Sequence, residues 1–97
     1  MEKVTKPKVR QIAEGNNLVA KQMQADAGDL LPAHLADVES MLFVHEGECI
    51  LTINDEKIVL KQGEGYAIPP DTKHQIKAVT DFKGLHVMPK SIKFHYF

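Results

Sequence analysis

Five histidines and one cysteine are the side chains of this sequence best suited to chemistry: His34, His45, His74, His86, His95 and Cys49. Near neutral pH an imidazole can carry a proton or, when neutral, offer a lone pair to a metal or a hydrogen-bond donor. A thiol is nucleophilic only as the thiolate. Cys49 alternates with apolar Leu51 and Ile53, which marks a small core residue rather than a nucleophile. His95 falls on the polar face of the C-terminal segment. No glycine-rich phosphate loop lies between a strand and a helix, and no serine sits in a nucleophile turn. The chemistry of this chain therefore rests on its histidines.

The elements that must position them read as strands. Cys49, Leu51 and Ile53 alternate with Glu48, Ile50 and Thr52, and Ile58 and Leu60 resume the period after Asn54-Asp55-Glu56-Lys57. Two alternating runs joined by an Asn/Asp turn predict a hairpin. Met41 to Val44 is apolar at every position, which suits a strand buried on both faces or a core strand facing a partner subunit. Turn residues recur at Gly47, Gln62–Gly65, Pro69–Asp71 and Thr80-Asp81, spacing expected of a sandwich or barrel. Pro69-Pro70 must end a strand, since neither residue can donate to a ladder.

Upstream, Leu18 to Ala25 and Leu30-Leu31 are further strand candidates, and Val9 to Glu14 reads as a strand or a helical turn. Met23, Met41 and Met88 are expected to fill core gaps. At the C-terminus Ile92, Phe94 and Tyr96 share one face of a short strand, opposite Lys93 and His95. Aromatic rings at a chain end need a docking surface. That surface is either the chain's own barrel or a second copy.

The chain has 97 residues and a formal charge of −1, enough for one small domain with a thin core. Its parts divide into an N-terminal segment (1–17), a barrel (18–89) and an aromatic tail (90–97). A core so small gains from a second subunit, so a homodimer is expected. Charges of both signs are dispersed, which points away from nucleic acid as a partner. No apolar stretch reaches the roughly 18 residues of a membrane span. Met1 to Arg10 has lysines without an apolar run after them, so no signal peptide is expected. With one cysteine and no such signals, the expected location is cytoplasmic.

Residues 28 to 89 carry two motifs in order. The first is Gly28, five residues, His34, then Gly47-Glu48. The second runs from Gly63 or Gly65 to Pro69, Asp71 and His74. Val44-His45-Glu46-Gly47-Glu48 makes the hairpin entry between them. This pattern resembles the small single-domain members of the cupin superfamily. The resemblance implies an all-β fold, a double-stranded β-helix or jelly-roll barrel with few or no helices. It also implies a small-molecule ligand inside that barrel.

In metal-binding cupins, two histidines and a glutamate of the first motif and a histidine of the second hold one divalent ion. The resemblance thus implies iron, manganese, nickel, copper or zinc as cofactor, and no organic one, with His34, His74, Glu39 and His86 as the candidate ligands. This sequence departs from the pattern twice: Ala36 stands where the second histidine belongs, and Ser40 where the glutamate belongs. Glu39, one residue early, serves only if the chain bulges or bends between Ala36 and Met41, because a one-residue shift turns a strand side chain to the other face. If Ser40 faces inward, His45 points out of the barrel; if Glu39 does, both point in. The plainer alternative for His34 and His74 is a pair of buried histidines bonded to the backbone, and for Glu39 a surface carboxylate.

Three functions are compatible with these residues: a small-molecule-binding barrel with or without a metal, a metal-dependent enzyme of the dioxygenase, isomerase or decarboxylase kind, or a non-catalytic dimeric sensor or accessory protein.

Overall fold

A computed structural model describes residues 3–97; Met1 and Glu2 of the N-terminal segment lie outside the described residues. Ten strands form: β1 (Lys8–Glu14), β2 (Leu18–Ala25), β3 (His34–Ala36), β4 (Ser40–Glu46), β5 (Glu48–Ile53), β6 (Glu56–Lys61), β7 (Gly65–Ile68), β8 (His74–Ala78), β9 (Phe82–Pro89) and β10 (Phe94–Tyr96). One sheet has the order β1-β2-β9-β4-β7 and the other β10-β3-β8-β5-β6. Every pairing between named strands is antiparallel. The result is the jelly roll that the turn spacing anticipates. Among the described residues there is no helix, and hence none long and apolar enough to cross a membrane.

The anticipated hairpin is β5–β6. Ile53 pairs with Glu56, which leaves Asn54 and Asp55 as a two-residue loop with φ of 52° and 61°. Two central residues in the left-handed region make a type I′ turn, the kind whose twist matches flanking strands. Cys49, Leu51 and Ile53 all point inward and are fully or almost fully buried. They meet Leu42 and Val44 of β4, Ile76 of β8 and Phe82 of β9 in one core between the sheets. Burying each large apolar side chain there contributes about 1.5–3 kcal/mol.

Of the two expectations for β4, the strand buried within its own chain is not met. It is not buried on both faces: Leu42 and Val44 point into the core, whereas Met41 and Phe43 point outward and are 51% and 36% exposed. Met41 therefore fills no core gap, while Met88 is buried and Met23 packs against the core edge. Leu30 makes only isolated bridges, to Val4 and Lys77, and belongs to no strand. Val9 to Glu14 settles as strand, with β1 extending the first sheet beyond β2 and exposed along its whole length. The tail lies on its own chain, where β10 pairs with β3 from Phe94↔Ala36 to Tyr96↔His34.

Gly47 closes the turn between β4 and β5 with φ of 79°. A Cβ there would collide with the Asp81 carbonyl oxygen and lie 2.6 Å from the Thr80 hydroxyl. Gly63 also has positive φ, 87°, but faces open space. Gly47→Ala therefore combines left-handed strain with an immovable backbone contact, and should cost about 2–4 kcal/mol in urea unfolding. Gly63→Ala, with the strain alone, should cost about 1–2 kcal/mol. Equal losses for the two variants would show that the approach of residue 47 to the 80–81 loop is looser than described.

Candidate functional site

Three of the histidines meet at one end of the barrel. His34 opens β3 and His74 opens β8, and the two are direct partners, the one pairing between these strands. Their rings stand 4.4 Å apart at 66°, edge to face. The register comes from the loop before β8. Pro69 and Pro70 end β7, and Asp71 then takes φ of 56°, a left-handed turn that Asp tolerates better than most residues. In that conformation the Asp71 N–H donates to the Ala36 carbonyl at 2.6 Å, tying the loop to β3. The Gln75 amide donates to the Leu31 carbonyl at 2.9 Å and holds the same two segments together.

Each of the two imidazoles is oriented by a carbonyl two residues earlier. His34 Nδ1 lies 3.2 Å from Pro32 O, and His74 Nδ1 lies 3.0 Å from Thr72 O. A carbonyl can only accept, so Nδ1 carries the hydrogen on both rings and Nε2 presents a lone pair. Neither Nε2 has a protein partner among the described residues. No buried side-chain nitrogen or oxygen is left unpaired among them either, so both Nε2 atoms reach accessible space. The backbone-bonded alternative for these histidines is thus realised in a form that leaves one nitrogen of each ring available.

His86, in the middle of β9, is 8% exposed and opposite Leu42 of β4. Its Nε2 lies 2.8 Å from the Ser40 hydroxyl. Aromatic rings from the tail complete the group: Phe94 stands 5.4 Å from His34 and 6.0 Å from His86, and Tyr96 stands 5.2 Å from His34. A cleft of about 500 Å³ adjoins this end, lined in part by Thr52, Asn54, Asp71, Lys73 and His74.

Burial sets the protonation of the cluster. It pushes His86 from 6.5 down to about 4, with the neighbouring His34 and His74 and then Lys21 adding to the effect. His34 is lowered by burial first and by His74 second, against the bond to Pro32. His74 is lowered by burial, against its bond to Thr72. All three imidazoles are therefore neutral at pH 7. Cys49 is the expected core residue: burial and the nearby Glu48 raise its thiol to about 12, so it carries no thiolate.

Glu39 does not join the site. Ser40 points inward, and the pairing of β4 is regular from Ser40 to Val44, its irregularity falling only between Val44 and Glu46. The chain bends at Asp37 and Val38, yet Glu39 remains exposed while Ser40 beside it is buried, so the bend does not carry the carboxylate inward. His45, at the irregularity, is exposed as well, and His95 contacts only Phe97 among the rings. The Ser40–His86 pair and the rings of Phe94 and Tyr96 were not anticipated as parts of the site. A signal for the first was present in Ser40, a serine where the motif has glutamate, and the structure shows that its buried partner is His86.

A model described as a cupin domain matches residues 22–88, more than half of the chain. The protein is a cupin. No curated protein matches it, but solved structures do. A conserved double-stranded β-helix protein from Klebsiella pneumoniae is 20% identical over 99% of this cupin and 88% of its own chain, with a TM-score of 0.83. An RmlC-like cupin from Desulfovibrio desulfuricans is 28% identical over 87% and 82%, with a TM-score of 0.77. Salicylate 1,2-dioxygenase from Pseudoaminobacter salicylatoxidans is 13% identical over 93% of this chain but only 29% of that enzyme, with a TM-score of 0.83. At 20% and 13% identity the first and third of these likenesses speak for the fold alone.

Divalent metals are common in the family, and such an ion needs several converging donors. His34 and His74 have the tautomer of metal-ligating histidines, with Nδ1–H on a carbonyl. The remaining family positions supply no donor: Ala36 has none, and the Ser40 hydroxyl is engaged with His86. Among the described residues no three His, Cys, Asp or Glu side chains stand close enough to share an ion. The residues present do not fit the four-ligand ion of metal-binding cupins, and neither Glu39 nor His86 makes up the set.

The buried histidines make acid stability a test of this geometry. Above about pH 6.5 the folded and unfolded chains both hold them neutral. Below it the unfolded chain takes up protons that the buried rings refuse, so stability falls as the pH drops from 6.5 to about 4, where His86 itself protonates. At about 1.4 kcal/mol per pKa unit, His86 alone should remove on the order of 3 kcal/mol across that window. His86→Leu should flatten the slope of unfolding free energy against pH. An unchanged slope would mean that His86 is not held neutral at this position.

Proposed function

We propose that this cupin binds a small organic molecule at the barrel mouth, held by the Nε2 atoms of His34 and His74 without a resident metal ion. The observation that carries this is the pair of neutral, carbonyl-oriented imidazoles with unengaged lone pairs, walled by aromatic rings. Two acceptors at a fixed spacing suit a ligand bearing hydroxyl or N–H donors, and Phe94 and Tyr96 suit an apolar or planar body. Such a site combines an apolar wall with a few placed polar groups, the usual make-up of a ligand pocket. The same features support a non-catalytic sensor or accessory role. The dioxygenase, isomerase and decarboxylase alternatives draw only on fold likeness, which does not carry an activity.

Fragment binding followed by histidine side-chain NMR tests this. Phenol and benzyl alcohol, as donor-bearing probes, should perturb the Nε2 resonances of His34 and His74 at millimolar concentrations. Toluene and anisole, which lack the donor, should bind at least tenfold more weakly. His34→Ala/His74→Ala should lose the donor-dependent part. Equal binding of all four probes, or binding that survives the double substitution, would remove the imidazoles from the recognition site.

A further inference from the structure

A charged side chain stands on the inner wall of the barrel, one strand away from His86. Register across the first sheet lines up Gln11 of β1, Lys21 of β2, His86 of β9, Leu42 of β4 and Tyr66 of β7 in one row. Leu42 and His86 are buried and point inward, and residues directly opposite each other in an antiparallel sheet share a face. Lys21 therefore faces the interior too. Its own strand agrees, because Val19 and Ala25, at even spacing from it, are buried. Lys21 itself is exposed. The row thus runs from the core at Leu42, past the neutral ring of His86, to an ammonium in water.

Lys21 belongs to the surroundings of the histidine cluster. After burial, His34 and His74, it is the next influence that keeps His86 neutral. Among the described residues it has no anionic partner. Glu14 of β1 pairs with Val19, on the same face as Lys21, but Lys90 holds its carboxylate at 2.7 Å. Lys83 is turned to Glu46 at 3.6 Å, and Lys73 lies over the Phe97 ring at 4.6 Å. Lys21 is a cation on the inner wall that none of these groups engages.

We propose that Lys21 is the specificity-determining cation of the barrel mouth, and that the ligand is a small hydroxy acid with its hydroxyl at His34 and His74 and its carboxylate at Lys21. This rests on the reading of the two imidazoles as ligand acceptors. Their Nε2 atoms present lone pairs, and a carboxylate, which can only accept, gains nothing from them. An ammonium offers it three N–H donors and a charge-assisted bond. The hydroxyl has the opposite preference, since it can donate to Nε2. The two kinds of polar group therefore sort a ligand by its ends. Phe94, 5.4 Å from His34 and 6.0 Å from His86, walls the ground between them and suits a planar body. The exposure of Lys21 fits this use, because an ammonium on a flexible stem stays hydrated until a carboxylate arrives, and no buried charge has to be kept in the empty site.

The test compares five probes on the full chain at pH 7 and low salt, by calorimetry and histidine side-chain NMR: 3- and 4-hydroxybenzoate, the two matching hydroxybenzamides, and phenol. Wild type should bind at least one of the acids about tenfold tighter than its amide, the gain expected of one charge-assisted bond. Lys21→Gln should abolish that preference and leave phenol binding unchanged, with the same melting temperature because the side chain is exposed. Lys21→Arg should keep most of it. Equal affinity for acid and amide in wild type, with phenol still perturbing His34 and His74, would overturn the role of Lys21 and leave the imidazole reading standing. So would an acid preference that survives Lys21→Gln. An acid preference that depends on Lys21 but never perturbs His34 or His74 would overturn the stated orientation together with the imidazole reading. Failure of every probe to bind wild type would overturn both.

Discussion

The phase of β4 governs both sides of this molecule. Side chains at 40, 42 and 44 point inward and those at 41 and 43 outward. With that phase the motif position of the family's glutamate is held by a serine hydroxyl, and the carboxylate one residue earlier is left outside. The same phase seats Leu42 and Val44 in the core and turns Met41 and Phe43 to the surface. A slip of one residue would reverse all of these at once, and the burial of Leu42 and Val44 resists it.

At the mouth, a site reduced in ligands is still an ordered site. The left-handed turn at Asp71 and its bond to the Ala36 carbonyl set His74 opposite His34, and the two carbonyls at Pro32 and Thr72 set the rings' tautomers. Buried and mutually close, the imidazoles are kept neutral. On the proposed reading, neutral rings with free Nε2 atoms would serve a donor-bearing ligand without the carboxylate that a tightly held divalent ion would want. Ser40 then has a different use, which is to satisfy His86 in the interior.

Much of the fold was legible because the barrel's signals are local. Alternation in Glu48–Ile53, the Asn54-Asp55 turn and the stop at Pro69-Pro70 each follow from short-range chemistry. The two motifs bring His34 and His74 together through the family resemblance they carry. What was not legible depends on tertiary context. Met41 to Val44 is apolar at every position, so no period reveals which residues face the core. Whether Glu39 enters the barrel depends on the path of the chain through Asp37 and Val38, which spacing alone does not show. The tail's alternating rings look the same whether they dock on β3 or on another molecule, and only the pairing with β3 decides. Val9 to Glu14 has too weak a period to separate strand from helix, and its neighbour β2 imposes the strand.

The central claim is that the barrel mouth works through two neutral imidazoles rather than a resident ion. Elemental analysis of the protein, purified without chelator and without a histidine tag, tests it most directly, with the His34→Ala/His74→Ala variant alongside. The account predicts well under one equivalent of iron, manganese, nickel, copper or zinc, and the same trace in both proteins. About one equivalent in the native protein, lost in the variant, would contradict it and put a metal centre at the mouth.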